Sequence, residues 1–242
     1  MLIKAAINGG RSKDDNPSVP VSPDEQAAAA AECLKAGANA VHLHVRSASG
    51  TESLYPEDVA RTLRAVLGVC PQKQIGVSTG AWILPDTARR LEAVRAWEVL
   101  PGFASVNFGE EGAAEVARIL LSKKVEVEAG LCDANATEVF VKSRLVDECF
   151  RVLLEPQEQE MEHALRTVSE IESVLDSATG QLPRLLHGTE LTAWPMMKEA
   201  ISRGYGVRIG FEDTLAMPDG RVARNNLELL AEAVSQVRTG KD

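Results

Sequence analysis

No apolar run in this chain approaches the roughly 18 residues that a membrane-spanning helix needs. The amino terminus, Met1-Leu2-Ile3-Lys4, lacks the basic stretch leading into an apolar one that marks a signal peptide. Cysteine is sparse. Cys33, Cys70, Cys132 and Cys149 form no CxxC pair, so the spacing suggests neither a disulfide framework nor a cysteine-based zinc site. Reduced thiols in a cytoplasmic protein are the expectation. An excess of positive charge is missing too: 26 Lys and Arg against 35 Asp and Glu give a formal net charge of −9. That argues against nucleic acid or an anionic membrane surface as a partner, while leaving room for one basic pocket that takes an anionic ligand. HExxH, a GxGxxG behind a strand, a Walker loop and GxSxG are all absent. No linker, low-complexity tract or sequence repeat breaks the chain, so a single domain spanning residues 1–242 is expected.

What is present is alternation. On length alone, 242 residues suit one α/β barrel or two small domains. Short β-branched or apolar runs are each followed by a longer helical pattern. The strands read as Leu2–Asn8, Ala40–Val45, Gln74–Ser78, Phe103–Asn107, Lys124–Ala129, Arg151–Leu154, Arg184–His187 and Gly206–Gly210. The helices read as Pro23–Ala36, Pro56–Leu67, Pro85–Ala96, Ala113–Ser122, Ala134–Val146, Glu158–Ser177, Glu190–Arg203 and Asn225–Gln236. Eight strand–helix units in this length predict an α/β fold, a closed (β/α)8 TIM barrel rather than an open sheet. Ser22-Pro23-Asp24-Glu25 supplies an N-cap, a proline at the first helical position and acids in the first turn.

In such barrels the chemistry sits at the carboxyl ends of the strands. Histidine is scarce, and two of the 4 stand in Ala40-Val41-His42-Leu43-His44-Val45-Arg46. Residues i and i+2 of a strand share a face, so both imidazoles point into the barrel top, where they can reach one metal ion. Core histidines satisfied by hydrogen bonds are the other reading. A third ligand is sought on another strand end, and Arg208-Ile209-Gly210-Phe211-Glu212-Asp213 offers one. Glu212 is placed to ligate, Asp213 to act as a base or orient one, and Arg208 to bind a carboxylate bidentately. A helix-capping acid pair with a structural salt bridge is the alternative there. Ser78-Thr79-Gly80, Ser105-Val106-Asn107, Glu126-Val127-Glu128 and His187-Gly188 complete a polar ring at one barrel end. Both Glu126 and Glu128 are expected to face inward. His163 reads as a surface residue. Arg221, Arg224 and Asn225 precede the last helix, either as a phosphate site or as a solvated basic turn.

Together these segments resemble the β-keto acid cleavage enzymes. The resemblance is carried by Ala5-Ala6-Ile7-Asn8-Gly9, the loop from Asn16-Pro17 through Pro20, His42-Leu43-His44-Val45-Arg46, Ser78-Thr79-Gly80, Ser105-Val106-Asn107-Phe108, Leu186-His187-Gly188 and Arg208 through Asp213, in order along nearly the whole chain. It implies a zinc-dependent TIM barrel, usually a homo-oligomer, that joins a β-keto acid and acetyl-CoA and releases acetoacetate and a new acyl-CoA. It implies that His42, His44 and Glu212 hold Zn2+, that Asp213 supports proton transfer, and that Arg208 with Ser78 engages substrate or its developing charge. Ser105 and Asn107 match positions holding the acetyl end of the keto acid. Thr79 joins them in substrate binding, and Glu128 matches an inward acid of the fifth strand. Two departures stand out. Gly9-Gly10-Arg11 replaces a stretch that often carries an acid, so Arg11 is expected to face the pocket. The segment Asn107 through Gly112 runs directly into a helix, shortening one pocket wall. The competing readings are a zinc barrel hydrolase or aldolase-type lyase that acts on a keto acid without CoA, and a non-catalytic binding protein.

Overall fold

Side-chain alternation decides which way each strand faces. In the computed structural model, which describes residues 1–178 and 182–240, the strands are β1 (Ile3–Ala6), β2 (Ala40–Leu43), β3 (Ile75–Ser78), β4 (Phe103–Asn107), β5 (Glu126–Leu131), β6 (Arg151–Leu154), β7 (Arg184–Leu186) and β8 (Gly206–Ile209). They run parallel in sequence order and close into a barrel, with β8 pairing back onto β1 through Lys4 opposite Arg208. Ala5, Val41, Leu43, Val77, Val127, Val207 and Ile209 take the outer face and join the main apolar core under the helices. The inner face is polar and buried: Lys4, His42, Ser78, Ser105, Glu128, Arg151 and Arg208. Register places Ser78, Ser105, Glu128 and Arg151 side by side across four strands.

The helices are α1 (Pro23–Ala36), α2 (Pro56–Leu67), α3 (Thr87–Arg95), α4 (Ala113–Ser122), α5 (Ala134–Lys142), α6 (Met161–Ser177), α7 (Ala193–Ser202) and α8 (Asn226–Thr239). α1 starts on a complete capping box, with Ser22 accepting from Glu25 N and Glu25 accepting from Ser22 N, which satisfies two otherwise orphaned donors. It ends on Gly37 in the left-handed region.

Where expected boundaries moved, the backbone gives the reason. α3 begins at Thr87 rather than Pro85 because Asp86 caps it through Arg89 N. α5 stops at Lys142, short of Val146, and Arg144 takes a φ of 62°. Lys124 stands at φ 63°, so β5 starts at Glu126 instead of Lys124 and runs on to Leu131. Glu190, at φ 47°, belongs to a 3-10 turn, Glu190–Thr192, that precedes α7. α6 opens at Met161 rather than Glu158, and α8 continues to Thr239, past Gln236. Among the described residues no helix is long and apolar enough to cross a membrane.

Candidate metal centre and active site

His44 lies just past the end of β2, where the strand ladder has stopped. Asn8 takes over its main-chain bonds: Oδ1 accepts from His44 N at 2.8 Å, and Nδ2 donates to His44 O at 3.0 Å. Asn8 is fully buried, so the residue after β1 fixes the residue after β2. Glu212 arrives from β8, where its own N donates to Ala6 O at 3.1 Å. Gly9 lets it in. At φ 55° and with a would-be Cβ 2.4 Å from Glu212 Cγ, position 9 tolerates neither a side chain's backbone preference nor its volume.

The result is a convergence. One ligand atom from each of His42, His44 and Glu212 lies within 4.8 Å of the others. His42 Nε2 is 3.6 Å from Glu212 Oε2, and His44 Nε2 is 3.4 Å from Glu212 Oε1. His44 Nε2 and Glu212 Oε2 are buried without a hydrogen-bond partner, which costs free energy unless something occupies the space between them. A divalent cation fits that donor set, since His2Glu leaves positions open for substrate.

The electrostatics around the three groups differ. Burial pushes His42 well below the ordinary imidazole range, outweighing Glu212, and His44, Lys4 and Arg208 push it the same way. Burial also acts to lower His44, but Glu212 and Glu52 overcome it and raise its pKa to about 9. Burial raises Glu212, yet Arg208 and then the two imidazoles hold it well below the usual carboxylate range.

Beside the triad stands a second network. Arg208 Nη2 bonds Glu212 Oε1 and Asp213 Oδ1, both at 2.6 Å, and its Nε bonds Asp213 Oδ1 at 3.0 Å. Asp213 is fully buried, and its Oδ1 also lies 3.3 Å from His187 Nδ1. Burial and Arg208 depress His187, and Asp213 and Glu155 more than offset them, so its pKa rises. His187 Nε2 has no hydrogen-bond partner and stands 3.6 Å from Glu155 Oε2; the residue lines a cavity of about 390 Å³ whose wall includes Trp82, Asn107, Glu110, Glu155, Arg208 and Glu212.

The remaining expected residues fall in different places. Asn107 lines the cavity and donates to Glu110 Oε1 at 3.0 Å. Ser78 Oγ accepts from Gly80 N at 3.3 Å, and Thr79 Oγ1 donates to Ser105 O at 2.8 Å. Ser105 Oγ donates to Glu128 Oε1 at 2.7 Å and stands 3.5 Å from His42 Nδ1. Glu128 is fully buried below the cavity, paired with Lys4 and Arg151. Burial alone would raise it, but Arg151 and Lys4 hold it well below the carboxylate range. Lys4 itself is lowered to about 8, chiefly by burial.

Two expectations are corrected. Glu126 does not share Glu128's buried setting: it opens β5 at the amino end of the barrel and is exposed. Arg11 does not line the cavity; its guanidinium bonds Glu190 and the Phe211 carbonyl, partners that satisfy its charge and hold it aside. His163 is on the surface, its side chain 55% exposed. Arg221 and Arg224 both pair with Glu228, as a solvated basic turn would. Sequence reasoning passed over Glu52 and Trp82 beside His44 and Glu110 and Glu155 across the cavity. Asn8 it read as the end of a strand and as part of the opening motif of the resemblance, with no role of its own. None sits in a spacing pattern: a local reversal carries Glu52 back to His44, and the barrel brings the others together.

A parallel eight-stranded barrel with two imidazoles, a carboxylate and an arginine at the carboxyl ends of its strands defines a TIM-barrel enzyme with a triad able to hold a metal. The chain belongs to the beta-keto acid cleavage enzyme family, whose profile matches residues 1–241. It is 28% identical over 251 residues to a 3-keto-5-aminohexanoate cleavage enzyme of Fusobacterium nucleatum, covering 97% of this chain and 90% of that protein. It is 40% identical over 80 residues to the 3-oxoadipate:acetyl-CoA acetyltransferase of Cupriavidus necator, a stretch that covers 33% of this chain and 28% of that one. Among solved structures, apo ObcA superposes with a TM-score of 0.73 at 14% identity; the match covers 91% of this chain and 62% of ObcA. That likeness concerns the fold.

Proposed function

We propose that this chain, as one catalytic domain, holds a divalent metal, zinc, on His42, His44 and Glu212 and cleaves a β-keto acid against acetyl-CoA, giving acetoacetate and a new acyl-CoA. The observation that carries the reading is the triad, whose Glu212 lines the cavity, with two buried atoms, His44 Nε2 and Glu212 Oε2, left without a partner. Membership of the family supports the β-keto acid, and the printed activity of the C. necator relative supports the acetyl-CoA.

When bound, the metal supplies a Lewis acid for the keto and carboxylate oxygens. The chain's own residues do the rest. Arg208, fixed by Asp213 and Glu212, offers the guanidinium that meets an anionic substrate. Asp213 orients His187 through Nδ1, leaving Nε2 free to exchange a proton with substrate in the cavity. Asn107 offers its amide from the opposite wall. Overall, the bond between the keto carbon and the methylene of the β-keto acid breaks. The acyl part leaves on CoA, and the carboxymethyl part joins the acetyl group as acetoacetate. A homo-oligomer is part of the proposal, read by sedimentation velocity.

The test is metal content of the purified protein, followed by chelator stripping and zinc reloading, with acetoacetate assayed from β-keto acids plus acetyl-CoA. Near-stoichiometric metal and acetoacetate that vanishes and returns are expected. Metal-dependent turnover of the keto acid without acetyl-CoA would replace this reading with the lyase or hydrolase one.

A further inference from the structure

The two histidines near the end of β2 are backed differently. Past Val45 the chain reverses: Ser47 N donates to Thr51 O at 2.8 Å and Ser53 N to Val45 O at 3.0 Å, so that Arg46 and Glu52 form an antiparallel bridge. This short, doubly bonded reversal delivers Glu52 to the back of the imidazole that β2 sends to the site. Glu52 Oε1 lies 2.5 Å from His44 Nδ1. From the loop after β3, Trp82 Nε1 donates to both oxygens of the same carboxylate, at 3.2 and 3.3 Å. Its indole stacks on the His44 ring with 6.0 Å between centroids and 29° between planes. Gly80 makes the room, since a Cβ there would sit 2.3 Å from the indole. Trp82 lines the cavity and stays 53% exposed. An exposed tryptophan tied down at its N–H and stacked on a buried imidazole is not explained by core packing.

The chemistry follows from the bond at Nδ1. A carboxylate accepts there, so in the neutral ring that a metal requires, Nδ1 carries the hydrogen and Nε2 presents its lone pair. Nε2 is the atom left without a partner, 3.4 Å from Glu212 Oε1. Negative charge behind an imidazole makes it a stronger donor to a cation and fixes the ring's orientation. His42 has only a hydroxyl, Ser105 Oγ, at 3.5 Å from its Nδ1.

We propose that Glu52 and Trp82 are a positioning pair for His44: Glu52 sets its tautomer and strengthens Nε2 as a ligand, while Trp82 clamps that carboxylate and roofs the ring against water. Metal retention thus depends on two residues that touch no metal. The inference rests on the reading of His42, His44 and Glu212 as the metal site.

The test titrates Zn(II) alone into metal-stripped protein against a chromogenic chelator, with tryptophan emission followed in parallel. Glu52→Ala is expected to weaken zinc binding by about 10–100-fold. Glu52→Gln loses less, because the amide oxygen still accepts from Nδ1. Trp82→Phe, which keeps the stack but not the N–H, loses less than Trp82→Ala. Zinc is expected to change the Trp82 part of the emission, read as the difference between wild type and Trp82→Phe. Should the alanine variants fail to fold, the near-isosteric double variant Glu52→Gln/Trp82→Phe carries the test and must lose affinity. Wild-type zinc affinity in the folded variants overturns the proposal alone. A wild-type protein that takes up no zinc overturns the metal reading, and this inference with it.

Discussion

At the scale of single residues, the barrel interior is a study in compensated charge. Lys4, Glu128 and Arg151 are buried together, with Ser105 completing the carboxylate's bonds. Such a network need not add stability compared with apolar packing, but breaking it leaves charges stranded. Glu128→Gln is therefore expected to lower the unfolding free energy by about 3–5 kcal/mol in denaturant titration at neutral pH. The sign of the pH effect follows from the depressed Glu128 pKa. The folded state holds the carboxylate ionised more tightly than the unfolded state, whose value is near 4.5. This contribution is present above that value and lost as pH falls through the folded one. The thermal-midpoint gap between wild type and Glu128→Gln should shrink on acidification below pH 4.5; a gap that widens would contradict the assignment. The Asp213–His187 pair makes a different prediction. Asp213→Asn keeps three ligand side chains intact, so metal content should match wild type while turnover falls by about 10²–10⁴-fold. Undiminished turnover would remove Asp213 from the mechanism.

At the scale of elements, loop geometry rather than strand sequence finishes the site. Gly9 is the clearest case, because Glu212 passes where its Cβ would be. Gly9→Ala should cost roughly 1–2 kcal/mol for the left-handed backbone alone and displace a proposed ligand, so metal occupancy should drop as well. Stability loss with full occupancy would mean that Glu212 is not a ligand. Ser22→Ala tests the other kind of element feature. It should cost about 1 kcal/mol through the lost cap at α1. The same contrast explains what was legible beforehand. His42 and His44 were readable because period two on a strand commits both to one face. The caps at Ser22 and Gly37 were readable because they follow fixed chemistry. The boundaries at Lys124, Arg144 and Glu190 were not, since a non-glycine residue in the left-handed region leaves no signature in composition. Glu52, Trp82 and Glu155 escaped for another reason: they come from three separate loops, Glu52 carried back to His44 by the reversal after β2 and the other two brought to the histidines by the packing of the strand ends. Arg11 was misplaced because sequence locates the loop but not the Glu190 carboxylate that captures its guanidinium.

At the scale of the whole molecule, the architecture sets the division of labour. The outer faces of the strands and the inner faces of the helices supply one apolar core, while the barrel interior and its carboxyl-end rim carry the polar groups. A ligand that binds only the folded state raises stability by mass action. Zinc added to the stripped protein should raise the thermal midpoint in wild type and leave His44→Ala nearly unmoved. An equal rise in both would place the metal elsewhere.

The most direct test of the proposed reaction follows the carbon. Zinc-loaded protein is given a β-keto acid and acetyl-CoA labelled with 13C in its acetyl group, and the products are read by NMR and mass spectrometry. The account predicts label in the acetyl end of acetoacetate and none in the newly formed acyl-CoA. Unlabelled acetoacetate, or keto acid consumed while acetyl-CoA stays intact, would contradict it.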